Sequence, residues 1–355
     1  MNDVVVIIGG GPVGLWTAIQ IKVRHRNWDV IVYERYEEYK RKHVLLLDKK
    51  SFSGYASHPL VDTFVSSLPD TIRTSVLQEH LMDIVRRIGV RVVTGRTVTV
   101  SDVYREHPRV RTVIGADGSH SRVRSEYFGM EYRKELQYIV DVKYEVYGST
   151  RALSSLSEAY PTLKLIRHVI TEHVGKSRGG RTPVSARLLV SEQEYQSMRD
   201  ATFKNPWTFT QLHGRVNESV TVWMNAKAMI TSERRVRGSE KITALCLNVY
   251  AAKSFHRHDH ERDIDVFLVG DAAFGVPYFR SLNNGIISGT RLARHMSSGY
   301  NRFMRRLSNR EREAAEAKRF GLRLGNAVKS MNAMLPWQII RWKDSDSNLL
   351  WTPLT

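Results

Sequence analysis

A β-branched run, Val4–Ile8, passes directly into Gly9-Gly10-Gly11-Pro12-Val13-Gly14, and no other stretch constrains the fold as much. The run reads as a strand, Leu15–Arg24 reads as a helix, and a second apolar run, Val30–Tyr33, ends at Glu34. That order is a βαβ unit. In Gly9-x-Gly11-x-x-Gly14 the first glycine allows a tight turn, the second lets a pyrophosphate reach the backbone, and the third lets helix and strand pack closely. The helix start around Pro12 and Val13 offers free N–H groups and partial positive charge to phosphates. Glu34, 20 residues past Gly14, stands where a carboxylate accepts from a ribose diol. The unit predicts dinucleotide binding, with a glycine turn in an unrelated α/β protein as the alternative.

Beyond this unit, Leu77, Leu81, Ile84, Val85 and Ile88 recur at helical spacing before Gly89, and Val90–Val93 begins a strand. Val110–Ile114 then runs into Gly115-Ala116-Asp117-Gly118. From about Met130 to Ile264 the pattern turns strand-like, in Tyr138–Tyr147, Pro183–Val190 and Val220–Met224. Val266–Val269 restores the first pattern, meets Gly270-Asp271, and precedes a helix from about Gly285 to Met296. Both ends of the chain therefore build one domain. The expected fold class is α/β: a Rossmann-like domain (1–130 and 265–298), an inserted sheet-rich substrate domain (131–264), and a basic helical C-terminal region (299–355). Tyr138, Tyr144 and Trp223 read as core aromatics of the inserted domain, with pocket lining as the alternative.

Ile114-Gly115-Ala116-Asp117-Gly118-Ser119-His120-Ser121-Arg122-Val123-Arg124 resembles the Asp-Gly motif of the FAD-dependent monooxygenases with the para-hydroxybenzoate hydroxylase fold, the class A flavoprotein monooxygenases. Val269-Gly270-Asp271-Ala272-Ala273, followed by Pro277 and Leu282-Asn283-Asn284-Gly285, resembles that family's Gly-Asp motif. The resemblance implies FAD as cofactor, with Asp271 accepting from its ribityl hydroxyls and Asp117-Gly118 tied to flavin placement and pyridine-nucleotide use. It also implies a helix from Asn283–Gly285 directing its positive end at the flavin pyrimidine. The implied reaction is reduction of flavin by NAD(P)H, formation of a C4a-hydroperoxide with O2, and insertion of one oxygen atom into an organic substrate. NADPH is preferred over NADH by the resemblance and the arginine excess, and binds transiently because no second GxGxxG is present. The cofactor carries the hard chemistry, so no catalytic acid–base pair is named.

A narrower resemblance runs from Glu34-Arg35 to Arg41-Lys42-His43-Val44-Leu45-x-Leu47, with Gln78 beyond it. It is similar to the monooxygenase domain of the MICAL proteins, and implies Arg35, Arg41 and Gln78 near FAD, Arg41 by its phosphates. The alternatives are a solvated basic cluster and a solvated helix residue. The chain departs from the hydroxylase pattern at Phe274 and at Phe279-Arg280-Ser281, where many members carry histidine and Gly-Gln-Gly. Arg280 there is a candidate cation for an anionic flavin or substrate. The Trp-x-Trp-x-Ile-Pro signature of flavin halogenases is absent.

Lys and Arg total 54 against 36 Asp and Glu, a net charge of +18, which attracts acidic surfaces. Arg302, Arg305, Arg306, Arg310, Arg312, Lys318, Arg319 and Arg323 concentrate this charge in one helical segment. A solvated face is one reading, and an acidic-protein or nucleic-acid contact is the other. His256, His258 and His260 read as a solvated loop and not as a metal site. A single cysteine, Cys246, in an apolar run favours a buried thiol, a reducing compartment and a cytoplasmic location. No apolar stretch reaches the ~18 residues needed to span a bilayer. Two other functions stay open: MICAL-like oxidation of a protein side chain or NADPH oxidase activity, and a non-catalytic basic subunit on the same fold.

Overall fold

The β-branched run at the start of the chain becomes a buried strand of a parallel sheet, flanked on both sides because each of its edges finds a partner. The computed structural model describes residues 3–38, 44–153, 168, 170–277, 280–331 and 340–341. The chain divides into two units, Met1–Lys134 with Asn248–Ala315, and Glu135–Leu247 with Glu316–Thr355.

The first unit opens with β1 (Val4–Ile8), α1 (Pro12–Arg24), β2 (Asp29–Tyr33), β3 (Val44–Leu46), α2 (Pro59–Ser67), β4 (Thr71–Arg73) and α3 (Thr74–Arg87). It continues with β5 (Arg91–Val93), α4 (Val100–Glu106), β6 (Val110–Gly115), α5 (Arg122–Tyr127) and the start of β7 (Met130–Tyr147). The second unit holds β8 (Ile170–Val174), β9 (Arg181–Val190), α6 (Glu192–Ser197), α7 (Gly214–Thr231), β10 (Arg234–Arg235) and most of β11 (Lys241–Ala252). The chain then returns to the first unit through β12 (His256–Asp259), β13 (Ile264–Leu268), β14 (Phe274–Gly275), α8 (Arg280–Arg294) and much of α9 (Ser298–Met331).

In the first unit the strand order is β12-β13-β6-β1-β2-β5. Strands β13, β6, β1, β2 and β5 run parallel, and only β12 is antiparallel to its neighbour. Every residue of β1 is buried, which explains an unbroken Val/Ile run in place of an alternating one. Helix α1 buries Leu15, Trp16 and Ile19 and packs against α3 and α8. The Trp16 indole N–H finds its buried partner in the Thr290 hydroxyl at 2.9 Å. Helix α8 starts at Arg280, earlier than the expected Asn283–Gly285. Helix α9 buries Met304, Leu307, Ser308, Glu311 and Ala315, spaced so that one face is turned inward.

In the second unit β7 pairs antiparallel with β9 from Tyr138↔Val190 to Tyr147↔Arg181, and β8 continues the sheet. One face carries Val140, Val142, Tyr144, Val146, Ala186 and Leu188 into a core closed by Val216, Val220, Trp223 and Met224 of α7. Val220–Met224, expected as a strand, is therefore helical. Its β-branched and aromatic residues favour a strand locally, but their 3.6-residue spacing fits a face that must cover the sheet. Tyr144 and Trp223 are core, while Tyr138 stacks on Tyr195 with ring centroids 4.9 Å apart.

Two other expectations are corrected. His256 and His258 lie on β12, not in a loop, because β13 has a free edge that the segment completes; the His256 ring stacks 4.4 Å from Phe267. Cys246 is half-buried, not buried, since β11 is only partly covered from Leu245 to Asn248. Among the described residues no helix is long and apolar enough to cross a membrane.

Candidate cofactor site

Four adjacent parallel strands, β13, β6, β1 and β2, lead within one to three residues into Asp271, Asp117, Gly9 and Glu34 respectively, all beyond the carboxyl edge of one sheet. In open α/β sheets ligands bind at this edge, where successive connections leave in opposite directions.

The glycine turn is built by close approach. Gly9 adopts φ +117°, and a Cβ on it would strike the Ala116 carbonyl. A Cβ on Gly14 would strike the Gly9 carbonyl, so the third glycine is needed for α1 to leave the strand. Gly11 differs: nothing lies within 4 Å of the position its Cβ would take. That opening sits at the N-cap of α1, where no side chain caps the helix and Pro12 occupies the first turn. The backbone donors there are available to an anion.

Glu34 is fixed by this turn. Its Oε2 accepts from the Gly10 amide at 2.7 Å and its Oε1 from the Tyr36 amide at 3.0 Å, leaving each oxygen capacity for a further donor. The Arg35 guanidinium lies 4.7 Å from the Tyr36 ring centroid on the surface. Gln78 is buried in α3, not solvated. Arg41 and Phe279 lie outside the described residues.

Asp117 directs one oxygen to protein and holds the other in reserve. Oδ2 accepts from the Arg122 amide at 2.7 Å, at the start of α5, whereas Oδ1 is buried with no hydrogen-bond partner among the described residues. Gly118 follows at φ +82°. Across the sheet, Gly270 packs on Val13, with 2.9 Å from its would-be Cβ to Val13 Cγ1, and its amide donates to the Ser288 hydroxyl at 3.1 Å. Val13 also presses on Gly285, so its side chain packs α1 against α8. Asp271 is half-buried and Pro277 is buried. Asn283 Oδ1 accepts from the Asp48 amide at 3.1 Å and the Ser51 hydroxyl at 3.3 Å. Asn284, 5% exposed, leaves its Nδ2 without a partner among the described residues.

The residue that sequence reasoning missed is Arg124. It is buried, and Nη1 donates to the Asp271 carbonyl at 3.1 Å and the Ala272 carbonyl at 3.0 Å while Nη2 donates to the Ser119 carbonyl at 2.6 Å. The guanidinium also lies 5.0 Å from the Tyr250 ring centroid, and the Tyr250 hydroxyl donates to the Asp271 carbonyl at 2.9 Å. Burial pushes the Tyr250 phenol up, so it remains a donor at neutral pH. Its signal was present in the Asp-Gly segment, where a single arginine follows Val123 inside a short helix.

Arg280 is corrected in the opposite direction. Its Nε and Nη2 meet the two carboxylate oxygens of buried Glu311 at 2.7 and 2.9 Å. A buried carboxylate needs this fork more than a ligand does, so Arg280 anchors α8 to α9 and is not a spare cation.

No family model matches the chain, and no curated protein matches it in sequence. Among solved structures it is similar to the Diels-Alderase PyrE3, at 15% identity over 92% of this chain and 73% of that one, with a TM-score of 0.51. It is similar to the flavin-dependent halogenase CmlS, at 15% identity over 89% of this chain and 63% of that one, with a TM-score of 0.53. Tetracycline destructase Tet(51) matches at 14% identity over 94% of this chain and 92% of that one, also at 0.53. These likenesses establish the fold, that of the class A flavoprotein monooxygenases. The names attached to it span several reactions, so the fold does not choose among them.

Proposed function

We propose that the chain is an FAD-dependent monooxygenase that draws reducing equivalents from NADPH and oxygenates an organic substrate. The observation that carries this reading is the meeting of Gly9–Gly14, Glu34, Asp117-Gly118 and Gly270-Asp271 at one sheet edge. Each of these elements has a chemical counterpart in FAD. The open side of Gly11 and the uncapped start of α1 suit a pyrophosphate. Glu34 suits a ribose diol and Asp271 a ribityl chain, both being acceptors for hydroxyl donors. The orphaned Asp117 Oδ1 and Asn284 Nδ2 are a buried acceptor and a buried donor, and each is stabilised by a polar ligand that completes it.

FAD bound there would accept hydride from NADPH and activate O2 for transfer of one oxygen atom. The protein's own part is placement and electrostatics. Glu34 is held in one orientation before any ligand arrives, which lowers the ordering cost of binding. The first turn of α8, Arg280 to Asn283, contributes the partial positive charge of a helix N-terminus to whatever anion faces it. Arg124 holds the turns that carry Asp117 and Asp271 at a constant separation.

The test is anaerobic addition of NADPH to the FAD-loaded protein, followed at the flavin band near about 450 nm, then admission of oxygen. Bleaching by NADPH and recovery with oxygen support the reading. A bound flavin that NADPH leaves oxidised, at any substrate tried, contradicts it and leaves a cofactor-binding protein without turnover.

A further inference from the structure

One end of the second unit's sheet is basic around a single aromatic ring. Arg234 of β10 pairs with Tyr147 of β7, Tyr147 pairs with Arg181 of β9, and Arg181 bridges to Arg178 across a two-residue turn. Gly179 and Gly180 form that turn with φ +56° and +71°, which closes the hairpin tightly enough to set the two arginines opposite each other. Directly opposed residues share a sheet face, so the four side chains stand in one row, on strands about 4.8 Å apart. The face is the one away from α7. Tyr144 and Val146 turn toward that helix, and Arg235, opposite Val146, joins them there with its guanidinium 5.2 Å from the Phe209 ring centroid. Tyr147 is 49% exposed, and Arg178, Arg181 and Arg234 are exposed. Arg181 meets Glu145 at 3.5 Å, whereas Arg178 and Arg234 make no ion pair among the described residues. On the same face, four residues back along β7, the Lys143 ammonium lies 5.8 Å from the ring centroid of Phe203, itself 56% exposed.

We propose that this row binds single-stranded nucleic acid. An exposed ring on an open sheet face is a platform on which an unpaired base stacks, and the arginines on both sides of it reach the phosphates that flank that base. Phe203, beside Lys143, offers a second ring further along the face. The ring decides the occupant. A duplex hides the faces of its bases, and an acidic peptide satisfies the arginines without using the tyrosine between them. A lipid surface calls for aliphatic side chains that enter the acyl region, and the row has none. All of these residues belong to the second unit, and none contributes to the cofactor site described above.

Fluorescence anisotropy of a labelled, mixed-sequence RNA strand of about 12 nucleotides, titrated with the purified chain at several salt concentrations, tests this. The strand is expected to bind about tenfold or more tighter than a duplex of the same length. R178Q/R181Q/R234Q is expected to lower affinity about tenfold or more and to reduce the slope of log affinity against log salt by about two, at about 0.7 per phosphate contact. R86Q/R87Q/R91Q removes the same charge from exposed positions of the first unit and is expected to leave affinity within about twofold. Tyr147→Ala is expected to lose about tenfold at an unchanged salt slope, while Tyr147→Phe, which keeps the ring, retains the affinity. No binding by the native chain, equal loss in the two triple variants, full affinity in Tyr147→Ala, or equal binding of the duplex each overturns the proposal. So does competition by polyglutamate or phosphatidylserine vesicles that matches competition by the unlabelled strand.

Discussion

The guanidinium of Arg124 bridges the carbonyl of Ser119 to the carbonyls of Asp271 and Ala272, tying together two turns that lie far apart in the sequence. Lysine has one donor centre in place of a planar fork and spans only part of this bridge. Arg124→Lys is expected to weaken FAD binding about tenfold or more, and Arg124→Leu to cost about 3–5 kcal/mol of stability by orphaning buried carbonyls. Flavin fluorescence titration and thermal unfolding measure the two effects separately.

Gly11 and Gly14 belong to one motif but fail in different ways. Gly11→Val places its side chain in open space and is expected to fold with an unchanged thermal midpoint while losing FAD affinity by two orders of magnitude. Gly14→Ala drives a methyl group into the Gly9 carbonyl and is expected to lose stability first. Thermal midpoints with and without excess FAD distinguish them, since only a competent site gains from ligand.

In the second unit Lys227 is buried between Glu172 and Glu233, with its ammonium donating to the Arg151 carbonyl at 2.6 Å. Burial pushes the Glu172 carboxyl up, and Lys227 opposes that. An acid raised in the folded state contributes stability at low pH that is lost as pH rises. Lys227→Met is therefore expected to cost about 3–5 kcal/mol near neutral pH and less in mild acid. Urea midpoints at pH 5 and pH 8 check the sign.

His168 accepts or donates between the Ser219 hydroxyl at 2.8 Å and the Glu194 carboxylate at 3.0 Å. The His168 hydrogen bond, with help from Ser191, holds Glu194 down to about 2. A depressed carboxyl stabilises above its ordinary value of 4.5 and loses that contribution as pH falls toward about 2. His168→Gln is expected to remove about 1–2 kcal/mol of acid-dependent stability, after screening of a partly exposed carboxylate. Unfolding followed from pH 6 down to pH 2 measures it.

The parallel sheet and its turns were legible because each glycine, strand and acidic residue of the first unit is demanded locally. The run of β1 fixes a doubly covered strand, and Gly9, Gly14 and Gly270 answer close contacts that no other residue tolerates. The second unit was harder to read, because Val220–Met224 prefers a strand locally and becomes helix only when the apolar face of β7 and β9 requires a cover. At the site, the acceptors were readable from residue type. Arg124 and Arg280 were not, because their roles depend on which buried carbonyl or carboxylate faces them: Ser119 and Asp271 for one, Glu311 for the other.

The central claim is that FAD occupies the carboxyl edge of the parallel sheet. The most direct measurement is the visible absorption spectrum of the purified protein after incubation with FAD and removal of free flavin, beside the same spectrum for Gly11→Val. The account predicts a band near about 450 nm in the native chain and its loss in the folded variant. A native chain that stays colourless with excess FAD, or a Gly11→Val protein that retains the full band, contradicts it.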